Sequence, residues 1–260
     1  MSQESVRVGG GPIVSKMMGL AMVGVGAALL FGGNINQADT NAVRATSGSG
    51  QEMAVVPIDL PNPAFAGTPS AVPEGVRLDR SRLGKKRASF MAPADAELLS
   101  ADLDVTSSDD YPIIGSLDLI TDGDKEPLDG RYVELAPDKQ HVTIDLGDSH
   151  EIYGIVFWHN HMDPRVYRDV VVMISDNEEF ENATIVFNND SDNSSGFGVG
   201  ENYEYFESDE GELAAHTEMK EGRLVMTKSL GTARYVRLWS NGSTIDDQNH
   251  YAEVEIWGKP

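Results

Sequence analysis

The chain has 260 residues, no cysteine and a formal net charge of −22, and that charge is unevenly placed: residues 1–97 carry nine Lys/Arg against eight Asp/Glu, residues 98–260 eleven against thirty-four. So acidic a body repels nucleic acid and anionic membrane, attracts cations, and suits solubility in a salty or calcium-containing medium. The missing cysteines exclude disulfides, thiol catalysis and thiolate metal sites, without fixing the compartment.

Residues 1–16 are polar, with Arg7 and Lys16 as cations, and Met17 to Phe31 (MMGLAMVGVGAALLF) is an uninterrupted run of apolar residues and glycine. Extended through Gly33 it would make roughly 25 Å of helix, against a hydrocarbon core of about 30 Å. A positive flank and a short apolar region fit a secretory signal over residues 1–38 better than a stable anchor. An uncleaved signal anchor is the alternative, because Asn36, Gln37 and Ala38 define a cleavage site poorly. The expectation is an exported protein (periplasm, cell envelope or extracellular) that meets membrane only through this segment.

Residues 39–97 hold Pro57, Pro61, Pro63, Pro69, Pro73 and Pro93 with no sustained periodicity. They read as a Pro-rich, partly extended linker. Arg77, Arg80, Arg82, Lys85, Lys86 and Arg87 cluster inside it. The cluster suits an anionic wall polymer, docking on the acidic domain, or plain solvation.

From Leu98 strand patterns recur: Val142–Leu146, Ile152–His159, Val166–Ser175, Ala183–Phe187, Arg223–Thr227, Ala233–Ser240 and Tyr251–Trp257. In the last two, period-two alternation sets Tyr235, Arg237 and Trp239 against Val236 and Leu238, the mark of strands with one face on a core. Many short strands without βαβ alternation mean a β-sandwich. No internal repeat appears, so residues 98–260 read as one all-β domain.

Five fragments in order carry a resemblance: ITDGDKEPLDG (Ile120–Gly130), VTIDLGDSHEIYGIVFW (Val142–Trp158), DVVVMISDNEEF (Asp169–Phe180), ARYVRLW (Ala233–Trp239) and AEVEIWG (Ala252–Gly258). Together they resemble the discoidin (coagulation factor type C) family and the related galactose-binding-like carbohydrate-binding modules. The tryptophan usual after the Asp-Gly turn is absent; Arg131, Tyr132 and Val133 stand there. The resemblance implies an antiparallel jelly-roll β-sandwich with binding loops at one pole. It also implies a structural calcium ion, whose ligands carry over to Asp122, Asp124 and Glu253. Calcium takes six to eight oxygens, and a Gly-centred turn presents carboxylates well. Glu253 shares a strand face with Glu255, and two nearby carboxylates repel unless a cation or arginine intervenes. An ordinary turn with exposed acids is the plainer reading.

Sugar recognition needs a flat apolar face together with planar donors and acceptors. Trp158, His159, Asn160, His161, Arg165 and Tyr167 provide these types in one stretch; Asn188, Asp190 and Asp192 form a second candidate loop, and Asn241, Asn249 and His250 a third. Convergence of the three at one pole is the expectation. Against it, Trp158 continues an apolar strand face and suits a core. His159 and His161 have metal-ligand spacing, and the Asn188, Asp190, Asp192 alternation resembles the start of a calcium loop without the Gly and Glu of an EF-hand. No Gly-x-Ser-x-Gly turn, phosphate loop or nucleotide fingerprint is present. The expectation is therefore a non-catalytic module binding a carbohydrate or glycoconjugate. The alternatives are a surface adhesion module binding an envelope protein, or a purely structural envelope protein.

Overall fold

The computed structural model describes residues 45–46, 51–63 and 77–260. The signal or anchor segment and the rest of the expected linker lie outside these residues. Ala42–Pro260 forms one compact unit. Its strands are β1 (Ala45–Thr46), β2 (Glu52–Val55), β3 (Phe90–Pro93), β4 (Glu97–Leu98), β5 (Val105–Ser107), β6 (Val133–Leu135), β7 (Gln140–Trp158), β8 (Val171–Ser175), β9 (Thr184–Asn188), β10 (Glu212–Ala214), β11 (His216–Lys220), β12 (Arg223–Lys228), β13 (Gly231–Ser240), β14 (Asn249–Tyr251) and β15 (Glu253–Lys259). Three short 3-10 turns are the only helical segments among the described residues, and no helix there is long and apolar enough to cross a membrane.

The protein is an all-β sandwich, and β7 is its organising strand. Two segments expected as separate strands run on as one of 19 residues. Its first half pairs with β13 on one edge and β5 on the other. Its second half pairs with β15 and β10. Between the pairs Tyr235–Asp145 and Ala233–His150 the register jumps, so that residues 146–149 face Arg234 alone. An extra-residue bulge bends and twists a strand. Gly147 sits there with φ +82°, and its N–H donates to Asp145 Oδ1 at 2.8 Å. The bend lets both halves face one core: Val142, Ile144 and Leu146 before it, Ile155 and Phe157 after it, closed by Val172, Val236, Leu238, Val254 and Ile256.

Beyond the bend, residues 152–158 are buried on both faces. The second face holds Tyr153, Val156, Trp158, Ala252 and Trp257, covered by Val56, Phe90 and Ala92. Here the structure departs from the expected linker. β2 and β3 belong to a further sheet ordered β1-β2-β3-β12-β11, antiparallel except for the parallel β3–β12 pair. The physical reason is that a strand apolar on both faces needs cover on both. The fit is close: a Cβ on Gly154 would lie 2.9 Å from the Phe90 ring. The basic cluster docks with it. Arg77 donates to Gly200 O at 2.7 Å, Arg82 pairs with Glu212 at 2.8 Å, and Arg87 binds the Glu210 backbone carbonyl at 2.7 Å. Arg80, Lys85 and Lys86 stay exposed.

Candidate functional site

The three candidate loops do meet. Arg165 pairs with Asp246 at 3.2 Å, Tyr167 Oη lies 3.0 Å from His250 Nδ1, and Asn189 N–H donates to Val170 O at 3.1 Å. Asp169 Oδ2 accepts from both Ser194 Oγ and Asn241 Nδ2 at 2.8 Å. Interlocking buries what was expected to touch a ligand. Trp158, His159, Asn160, His161, Arg165, Tyr167, Asn188, Asp190, Asn249 and His250 are all interior. Asn241 is half-buried, and only Asp192 is exposed. The expected sugar platform is therefore corrected to an interior network; Trp158 donates its Nε1–H to Asp209 O at 3.0 Å from within the core.

The polar groups of these loops hold the backbone. Asn249 uses all its capacity: Nδ2 donates to Ala136 O and Asp138 O, and Oδ1 accepts from Ser240 Oγ and Gly242 N. Asn188 Oδ1 accepts from Asp190 N, and Asn160 Oδ1 from Met162 N. Asp190 accepts the N–H groups of Asp192 and Ser194 on one oxygen and the N–H and hydroxyl of Ser195 on the other. These bonds hold its carboxyl below the usual range against the opposing effect of burial. Donors to the charged form do that.

Each histidine of these loops has its own partners. His159 stacks on Tyr167 with centroids 4.2 Å apart, and its Nδ1 lies 3.2 Å from Glu207 Oε2 and 3.1 Å from Tyr205 Oη. His161 Nε2 donates to Lys125 O at 2.8 Å. Burial pushes the Tyr167 and Tyr205 hydroxyls far above their ordinary range, so both remain protonated donors. His250 is depressed to about 4, first by burial and then by the Arg165 guanidinium.

The expected calcium ligands do not gather either. Asp124 turns away to Arg131, and its Oδ1 accepts Glu126 N–H at 2.9 Å. Asp122 is exposed, with Oδ1 accepting Asp124 N–H at 2.8 Å. Glu253 is buried and takes Gly123 N–H at 3.0 Å. Burial pushes its carboxyl up to about 9. Among the described residues, only Asp169, Asp190 and Asp192 bring three metal-ligating groups within 4.8 Å of one another. The carboxylates of Asp122, Asp124 and Glu253 are thus not gathered into one such group.

An open aromatic surface lies elsewhere, on the outer face of β13. The alternation that points Val236 and Leu238 inward turns Arg237 and Trp239 out. Trp239 packs edge-on against His141 with centroids 4.3 Å apart, and at 5.1 Å against Phe197. All three rings are partly exposed. Lys139 Nζ lies 4.8 Å from the Phe197 centroid and 5.2 Å from that of Trp239. Arg237 donates to Thr143 Oγ1 at 2.8 Å and lies over Phe180 at 3.9 Å. Burial, then Arg237, lowers His141 to about 4, so its ring is neutral at pH 7 and offers one donor and one acceptor. The sequence signal for Trp239 was its outward place in the alternation. His141 and Phe197 gave none, because a cross-strand pair and a loop contact join them to it. Two clefts, of about 240 Å³ beside Val56 and Arg87 and about 430 Å³ beside Asp176 and Thr232, lie away from this surface.

No family model matches the chain, and no curated protein matches it. Solved structures show likenesses. A family 89 glycoside hydrolase from Clostridium perfringens, in complex with 2-acetamido-1,2-dideoxynojirmycin, is 18% identical over 62% of this chain and 14% of that one, with a TM-score of 0.41. The CBM32 of AlyQ, in complex with 4,5-unsaturated mannuronic acid, is 19% identical over 60% of this chain and 95% of that one, with a TM-score of 0.39. Chitosan-binding module 1, derived from a chitosanase/glucanase of Paenibacillus sp. IK-5, is 16% identical over 62% and 99%, with a TM-score of 0.40. The chain thus spans 14% of the hydrolase and nearly all of the two binding modules. At such identities and scores these likenesses transfer neither ligand nor activity.

Proposed function

We propose that this protein is an exported, non-catalytic carbohydrate-binding module that holds sugar on the outer face of β13. The carrying observation is the open cluster of Trp239, Phe197 and His141 flanked by Lys139. Aromatic faces take the C–H side of a sugar ring, and the imidazole and ammonium serve its hydroxyls. The cluster offers ring faces and donors, not two carboxylates across a cleft as glycoside hydrolysis requires. Export rests on the apolar run Met17–Phe31 behind Arg7 and Lys16.

A glycan-array screen of the full chain tests the reading. The expected result is binding to a related set of glycans, lost in Trp239→Ala while the melting temperature holds. A blank array from folded protein would shift the weight to a protein partner or a structural role.

A further inference from the structure

Glu253 and Glu255 lie on one face of β15, only 1% and 4% exposed. Two carboxylates cannot stay ionised inside a protein without a partner charge. A partner is at hand. The Lys125 ammonium lies 2.7 Å from Glu255 Oε1 and 3.4 Å from Gly123 O, on a residue 7% exposed. It stands 5.3 Å from the Trp158 ring centroid, within cation–π range. Glu255 Oε2 accepts Trp257 Nε1–H at 3.0 Å, and Glu253 Oε2 accepts Gly123 N–H at 3.0 Å.

We propose that Lys125 is a built-in counter-cation: its ammonium, in place of a calcium ion, balances the Glu255 carboxylate beside Glu253 and ties the Asp122–Asp124 turn to the last strand. Three independent features agree. The ammonium donates to an oxygen on each side of the junction, the Gly123 carbonyl on the turn and the Glu255 carboxylate on β15. Asp124, one of the three ligands expected for a metal, is committed to Arg131. The carboxylates of Asp122, Asp124 and Glu253 do not converge into a metal-holding group. The His161–Lys125 O bond and the Trp158 ring position the lysine from the opposite side. The fold then closes without divalent metal.

The test melts the full chain in chelator and in excess calcium. The expected result is one melting temperature in both. A rise with calcium, reversed by chelator and still present in Asp192→Asn, would overturn the proposal. Lys125→Met removes the charge and keeps the length. It should lower the melting temperature by roughly 10 °C, the scale for breaking a buried pair in a domain of this size. Most of that loss should disappear in a Glu255→Gln background. An equal loss in both backgrounds would make Lys125 a packing residue and refute the charge role. The calcium measurements on wild type and Asp192→Asn decide the matter even if Lys125→Met does not fold.

Discussion

Two regions of this molecule are assembled from the same residue types and come out opposite. The interlocked loops hold Trp158, His159, Tyr167, Arg165 and His250 in the interior. The outer face of β13 holds Trp239, His141 and Phe197 partly exposed and Lys139 exposed. Composition cannot separate them; layering does. Trp158 ends a strand with a sheet over each face, whereas Trp239 ends one with a sheet on its inner face only. The lesson is that the same aromatic, imidazole and cationic side chains are closed off where a second layer covers them and stay partly exposed where none does.

The largest effect that sharpens this contrast belongs to Trp158→Ala. It removes a fully buried ring and should cost about 3–5 kcal/mol, seen as a fall in chemical-denaturation midpoint. Should that midpoint hold, Trp158 is not core, and the contrast fails. Next comes Tyr167→Phe, which leaves His250 Nδ1 short of a partner and should cost about 1–3 kcal/mol in the same measurement. A third effect is acid sensitivity. His250 and His141 are both lowered to about 4 in the folded state, against about 6.5 unfolded. The unfolded chain binds the extra protons first, so this stability is present above about pH 6.5 and is lost as pH falls towards 4. Melting temperature should drop over that window, and by less in His250→Asn if that variant folds. The smallest stability effect belongs to Trp239→Ala, about 1 kcal/mol or less, because its ring lies at the surface.

Much of the sandwich was readable in the sequence. Alternation located β13 and the start of β15, and Gly- and Asn-rich stretches located the loops that meet. Two features escaped. Ile152 to Trp158 is a seven-residue run, apolar but for one glycine, and it breaks alternation. That run signals a strand covered twice, yet its cover comes from Val56, just after β2, and from Phe90 and Ala92 of the four-residue β3, all inside a Pro-rich stretch. The second is the inwardness of the candidate loops. A polar residue that staples a loop and one that greets a ligand look alike in sequence. Asn249 shows the difference only through its four hydrogen bonds. The need for a cation beside Glu253 and Glu255 was readable from their shared strand face. That Lys125 supplies it was not, because the ammonium arrives from a turn 130 residues before Glu255.

The most direct test of the central claim is glycan binding by Trp158→Ala, Trp239→Ala and wild type, titrated with the best array hit and paired with melting curves. Trp239→Ala should keep its fold and lose affinity at least about tenfold, ~1.4 kcal/mol, while any folded fraction of Trp158→Ala binds like wild type. Undiminished binding by a folded Trp239→Ala would contradict the assignment of sugar recognition to the open face of β13.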